Sequence, residues 1–350
     1  MRIPLPPQEY ILFMPHRPAD IAVQHCVGLC VALALASLVA AVLHGPAFLQ
    51  MAGPVMALAA FLLLFICSLL HLLHTLATLP AEQSSLRIWP GLMLQQAKSR
   101  AFWADYVAPT GIVVTILFLF AGLKQLIPLL QPYYADAMLM AADRWVHSGQ
   151  LPHEYLQPWL TPAWLEGLDI VYPTLFPVTL AFYIYYARQK QLPAARYAFM
   201  VGFCLCWLLL GLGGGTLLAS MGPCFYHIAL PDAANPYASL MEWISRTGPQ
   251  LESPLMQAYL LKLYQTGEAG FGGGISAMPS VHAALPTLMV WAGWQRSPWL
   301  GLLMLAYLAL IGLATVALGW HYAVDIYASI IATSLLWLAL KQYYGYRMKA

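Results

Sequence analysis

Long apolar runs, unbroken by charge, set the organisation of this chain. Eight can be drawn, at roughly 21–43, 53–79, 106–130, 168–187, 196–220, 280–295, 299–319 and 321–341. Each is near the ~20 residues that a helix needs to cross a hydrocarbon core. The last two are joined so tightly that Gly319-Trp320 must turn sharply at a membrane face. Pro173, Pro177 and Pro286 lie inside runs and predict kinks, which neighbouring helices accommodate. The pattern predicts an all-α fold, a polytopic membrane helix bundle of about eight transmembrane helices.

Polar residues gather between the runs, and their sign alternates with side. With the N-terminus inside, one side collects twelve basic residues from Arg2 to Lys349, while the other holds Arg144, Arg246 and Lys262, with Lys124 near the outer end of its run. By the positive-inside rule both termini are then cytoplasmic. The outer side carries two long segments, 131–167 and 221–279. The first includes YLQPWLTPAWLEG, whose Trp159 and Trp164 suit the headgroup level, and its alternation predicts short interfacial helices. In the second, ASLMEWISRT and LMQAYLLKLYQT read as amphipathic helices ahead of a glycine run, Gly272 to Gly274, which reads as a mobile hinge. Long outer loops of this kind are more often functional than idle.

Composition sharpens the class. Of 350 residues, 61% are hydrophobic and 9% charged, against about a quarter charged in a soluble domain. A net charge of +2 argues against nucleic acid as a partner. The first run starts after a proline-rich opening and is long enough to span, so no cleavable leader is read there. Six cysteines form no CxxC pair, and most lie in apolar runs, where a thiol behaves as a small hydrophobe. His71 and His74 lie three apart in the second run, a pair without further ligands, and no metal or cofactor is expected.

The candidate chemistry sits between Gly270 and Asp325. His282 and His321 each stand where a loop gives way to an apolar run, and the charge count puts both on the outer face. His321 and Asp325 are four apart, so on a helix they share a face and the carboxylate can hold the imidazole. A histidine oriented in this way is a recurring nucleophile or base, and a second one supplies proton transfer. The plainer alternative is a set of buried polar residues bonded to one another. Ionisable groups at a membrane are costly and usually functional, which favours the catalytic reading.

These residues resemble the type-2 phosphatidic acid phosphatase superfamily. Its Pro-Ser-Gly-His motif is matched by Pro279-Ser280-Val281-His282, and its Ser-Arg…His…Asp motif by Ala314-Thr315, His321 and Asp325. Its Lys…Arg-Pro motif has no match: Arg17-Pro18 is preceded by Tyr10 at the lysine position. The pattern is closer to the inositol phosphorylceramide synthase branch, an inositolphosphotransferase group that keeps Met-Pro-Ser-x-His-Ala and tolerates threonine at the lost arginine. The resemblance implies a six-helix catalytic core over 106–350, with 1–105 adding two transmembrane helices. It implies that His321 attacks phosphorus, that Asp325 fixes its tautomer, and that His282 protonates the leaving oxygen and then deprotonates the acceptor. Neither metal nor cofactor enters this chemistry. It also implies a bacterial inner membrane, with the site on the periplasmic face.

Loss of the family's basic residues bears on the substrate. A phosphate monoester near neutral pH carries close to two charges and needs a cationic clamp; a diester carries one and needs less. The expected function is therefore transfer of a phospho-headgroup from a phosphodiester lipid of the outer leaflet to an alcohol, through a phospho-histidine. Ser280 and the loop amides before it are expected to receive the phosphate at a helix start, with Thr315, Tyr226, Lys124, Arg144 and Arg246 as further candidates. If Lys124, Arg144, Arg246 or Lys262 replaces the clamp, the reading becomes a lipid phosphate or polyprenyl pyrophosphate phosphatase. A transporter or an inactive lipid-binding protein is the alternative of another class; absence of paired half-repeats argues against the first and the intact His-His-Asp set against the second. Asp143-Arg144 reads equally as an internal salt bridge or as headgroup recognition, and the role of Asp169 stays open. Gly213 to Gly215 lacks a nucleotide-binding pattern and reads as close helix packing.

Overall fold

The computed structural model describes residues 24–32, 34–35, 91, 98, 107–189, 191–247, 251–268, 270 and 272–347. Most of the first two apolar runs, with His71 and His74 and the proposed division at 105/106, lies outside the described residues. The described part of the first run is helical, and it packs inward. Its His25 Nδ1 meets Tyr344 Oη at 2.6 Å, and the Cys30 thiol faces the Ile112 carbonyl at 3.8 Å.

Every regular element among the described residues is helical. Helix α1 (Ala108–Lys124) opens with Pro109 in its first turn, where a missing N–H costs nothing. Helix α2 (Asp136–Val146) is the amphipathic helix expected in the first outer segment. Helix α3 (Pro162–Val171) is capped by Thr161, whose hydroxyl accepts the Trp164 N–H. It continues through a 3₁₀ turn, Tyr172–Thr174, into α4 (Leu175–Ala187), making one apolar stretch of 26 residues. Pro173 lies in that turn: lacking an N–H, it interrupts the α ladder there.

Helix α5 (Pro193–Leu205) passes into a π-helical stretch, Cys206–Gly214. Segment 221–279 holds α6 (Ala238–Thr247) and α7 (Glu252–Thr266), the two helices that the sequence patterns predict. Helices α8 (Val281–Arg296), α9 (Pro298–Ala317) and α10 (Ala323–Arg347) complete the chain. Four helical stretches among the described residues are long and apolar enough to cross a membrane, including α9 and α10. The protein is an all-helical, polytopic, integral membrane protein.

Helix α8 coincides with the expected run 280–295 to within a residue. At 16 residues it rises about 24 Å, short of a ~30 Å hydrocarbon core. It lies at the centre, packed along α9 and against α5 and α10, with Ala283 through Val290 buried. Enclosed by protein rather than lipid, it has no need to cross fully. The glycines of the π stretch let the loop ahead of α8 come close: a Cβ on Gly214 would sit 2.7 Å from the Pro279 ring. In the run Gly272 to Gly274, read from the sequence as a hinge, Gly272 is exposed with open space around it, while Gly273 and Gly274 lie close against Gln125 and Lys124. A Cβ on Gly274 would meet the Lys124 main chain at 2.8 Å, and Gly270 N–H donates to Gln125 Oε1 at 3.2 Å.

Three buried carboxylates fasten the segments 131–167 and 221–279 to the bundle. Asp136 accepts from the N–H groups of Met221 and Gly222, both at 2.9 Å, and from Tyr322 Oη at 2.7 Å. Asp169 accepts from Glu252 and Ser253 N–H, capping α7. Asp143 accepts from Ala323 N–H at 3.1 Å and Val324 N–H at 2.8 Å, capping α10 from another helix. No Asp143–Arg144 ion pair exists among the described residues; both Asp143 oxygens are taken up by the main-chain N–H groups at the start of α10.

Candidate active site

His321 is set by the way α9 ends. Gly319, at φ 75°, takes the left-handed conformation that closes a helix. The Trp320 N–H then reaches back to the Thr315 carbonyl at 2.8 Å, with the Gly319 N–H on the Val316 carbonyl. Thr315 thus acts through its main chain, and its hydroxyl, turned into its own helix, donates to the Gly312 carbonyl at 2.7 Å. The chain leaves this turn through His321 and re-enters the bundle as α10, one turn of which carries Asp325. Asp325 Oδ2 lies 3.3 Å from His321 Nδ1 and accepts the Tyr322 N–H at 3.1 Å. Both side chains are buried, Asp325 completely.

His282 arrives from the other side, in the first turn of α8. Its Nδ1 stands 3.4 Å from His321 Nε2. With the His321 Nδ1 proton on Asp325, Nε2 presents its lone pair toward His282. Behind His282 lies an aromatic stack: Tyr172 is parallel to it at 4.7 Å, and Trp320 is parallel to Tyr172 at 5.6 Å. Phe176 closes the edge at 6.2 Å. The Trp320 indole N–H donates to Ser253 Oγ, and Gln257 Nε2 donates to the Leu318 carbonyl, so α7 braces the turn that presents His321.

Ser280 is the N-cap residue of α8, fully buried, and its Oγ has no hydrogen-bond partner. An unpaired hydroxyl beside the amides of a helix start is placed to receive an anion. Of the basic candidates, Lys124 is near enough for its charge to act on His282. Arg144 is exposed on α2, where its charge reaches Tyr226 and Tyr237. Arg246 is exposed on α6 and pairs with Glu242. Tyr226 is buried against Tyr237, and among the described residues no hydrogen bond or ring contact joins it to the histidines.

Burial opposes charge on the two carboxylates Asp136 and Asp143. Burial pushes the Asp143 carboxyl up to about 6, with its two backbone hydrogen bonds pulling the other way. Asp136 is likewise raised by burial against three bonds that favour its charge. Among the described residues no group of three His, Cys, Asp or Glu is placed to hold a metal ion.

Sequence reasoning brought His282, His321, Asp325 and Ser280 to one place. It missed Tyr172, Trp320, Gln257 and Asp136. For Asp136 a signal existed, since a carboxylate placed beside a membrane face needs a reason to be there. For the aromatic stack there was none, because an aromatic in an apolar run reads as packing.

A family model described as the PAP2 superfamily matches residues 137–339. No curated protein and no solved structure matches the chain.

Proposed function

The chain belongs to the PAP2 superfamily, and from that premise we propose that it is a lipid phosphotransferase of the phosphodiester-using kind. Membership itself supports a membrane enzyme of lipid phosphate chemistry, a phosphatase or phosphotransferase in general terms. The finer reading is that the enzyme moves a phospho-headgroup from a phosphodiester lipid in the outer leaflet to an alcohol, as in the inositol phosphorylceramide synthase branch.

In the proposed first step, His321 Nε2 attacks phosphorus and the bond from phosphorus to the lipid alcohol breaks. The departing oxygen takes the His282 proton, leaving a free diacylglycerol-type alcohol and a phospho-histidine that carries the headgroup. Asp325 holds the His321 Nδ1–H and stabilises the positive charge that develops. In the second step the acceptor alcohol gives its proton to His282 and attacks phosphorus, which releases His321. In-line displacement places phosphorus between the two rings, so the 3.4 Å gap between them must widen on binding.

The observation that carries the diester reading is the poverty of cations around the histidines among the described residues, where Lys124 alone acts on His282. Thr315 stands at the family's arginine position with its hydroxyl engaged by Gly312, and Arg246 is paired elsewhere. One observation favours a second reading, hydrolysis of a lipid phosphate or polyprenyl pyrophosphate: Lys124 acts on His282 from the end of α1 and would supply part of a clamp. We further propose that the site faces the outer side of a bacterial inner membrane, with both termini cytoplasmic. A lipidome of cells with and without the gene tests the reading. A phosphodiester lipid missing from the deletion strain is expected; accumulation of a lipid monophosphate or pyrophosphate instead would contradict it.

A further inference from the structure

A second apolar space lies behind the catalytic helix. Helices α9 and α10 follow one another in the chain, yet α9 packs along α8 and leaves a groove between itself and α10. The groove has a volume of about 660 Å³, well within the range of pockets that enclose small molecules. Leu308, Gly312 and Val316 line it from α9, and Ala323, Ile326 and Ile330 from α10. Successive residues on a helix step by about 100°, which puts the lining face of α10 roughly 150° away from Asp325. None of His282, His321, Asp325, Ser280 or Thr315 lines the groove.

Its polar groups occupy one end and answer one another. His147 Nδ1 donates to the Asp143 carbonyl at 2.7 Å, which leaves Nε2 to accept the Tyr327 hydroxyl at 3.0 Å. The Tyr155 hydroxyl donates to the His147 carbonyl at 2.7 Å. With these donors engaged, the rest of the wall offers only hydrocarbon. A polar solute entering here would lose its water without replacement bonds. A hydrocarbon chain would lose nothing. Among the described residues the space is also open at its side, because the lining residues Leu305 and Tyr327 are exposed on two helices long and apolar enough to cross a membrane, beside exposed Leu302 and Ile331.

We propose that this groove binds one acyl chain of a bilayer phospholipid, behind α10 and apart from the histidine pocket. The acyl chain would run between α9 and α10 along Leu308, Gly312, Ile326 and Ile330. The proposal does not depend on which phosphate ester the enzyme uses.

The test uses full-length protein in phosphatidylcholine nanodiscs containing a phosphatidylcholine with a mid-chain diazirine, irradiated and mapped by peptide mass spectrometry. Adducts on Leu308, Ile326 and Ile330 are expected several-fold above those on Leu303, Leu310 and Leu335, which face lipid outside the groove. Gly312→Leu fills the space: a Cβ there meets nothing nearer than Ile326 at 3.8 Å. That change should cut the groove adducts several-fold and spare the three controls, and Ala309→Leu provides the same test should the first variant fail to fold. His321→Ala should leave the groove adducts unchanged. Groove adducts no higher than the controls, or unmoved in the filled variants, would overturn the site. Loss of adducts in His321→Ala would assign the chain to bound substrate and overturn a separate groove.

Discussion

The ring of Tyr172 lies 15° from parallel with the ring of His282, their centroids 4.7 Å apart. His282 is thereby held between an aromatic face and His321, with its Nδ1 3.4 Å from His321 Nε2. An aromatic contact of this kind is worth about 1 kcal/mol, and more beside a cation. Tyr172→Phe keeps the face and should retain nearly all activity. Tyr172→Leu should lower kcat by about fivefold with little change in KM, because it disturbs proton transfer and not lipid binding. Steady-state kinetics of the two variants checks this; equal losses would show the ring to be ordinary packing.

Removing the central groups should be far more severe. His321→Ala, His282→Ala and Asp325→Ala are each expected to lose about 10³-fold or more in turnover, while the proteins still insert and stay monodisperse. Asp325→Asn should be milder than His321→Ala, since an amide oxygen can still accept the His321 Nδ1–H. Purified His321→Ala that turns over like the wild type would remove the nucleophile from the account.

Asp143 gives a pH signature with a defined sign. Its carboxyl is pushed up to about 6 in the folded protein from an ordinary value of 3.8. The folded state therefore holds this proton more firmly, and the stability so gained is full below about 3.8 and lost as pH rises through about 6. Asp143→Asn removes the titration. The difference in unfolding free energy, wild type minus variant, should fall between pH 4 and 6, by at most about 1.4 kcal/mol per pH unit, and level off above. A difference that is flat or rising across that window would contradict the assignment.

Topology is open to direct labelling. In a cysteine-substituted set, positions in 131–167 and 221–279 should react with an impermeant maleimide in intact cells, and positions in 188–196 should not. The described native cysteines are all buried and give low background. Reversed labelling would place the histidines on the cytoplasmic side.

What was legible in the sequence follows from the range of the forces involved. Apolar runs report the solvent they face, so the helices could be drawn from composition alone. His321 and Asp325 were legible because a four-residue spacing is a local geometry, and His282 because its motif opens a helix. Asp143 was not, since it caps α10 across 180 residues and no local pattern records a helix start that borrows its cap. Adjacent Asp143 and Arg144 look like an ion pair on paper; successive helical residues diverge, and burial took only the acid. Thr315 reads as a weakened substrate contact in the motif, yet its carbonyl shapes the turn that presents His321.

The central claim is that the enzyme transfers a phospho-headgroup from a diester and is a poor monoester phosphatase. Its motivation is the missing clamp, with Thr315 at the arginine position and each absent charge partner expensive in a buried site. The most direct measurement compares two rates on purified protein in mixed micelles. One is phosphate release from phosphatidic acid or an isoprenyl phosphate; the other is headgroup transfer from a phosphodiester phospholipid to an added lipid alcohol. Faster transfer, dependent on the alcohol, with slow phosphate release, is the predicted result. Efficient monoester hydrolysis that ignores the alcohol would contradict it and point to Lys124 and Arg144 as the replacement clamp.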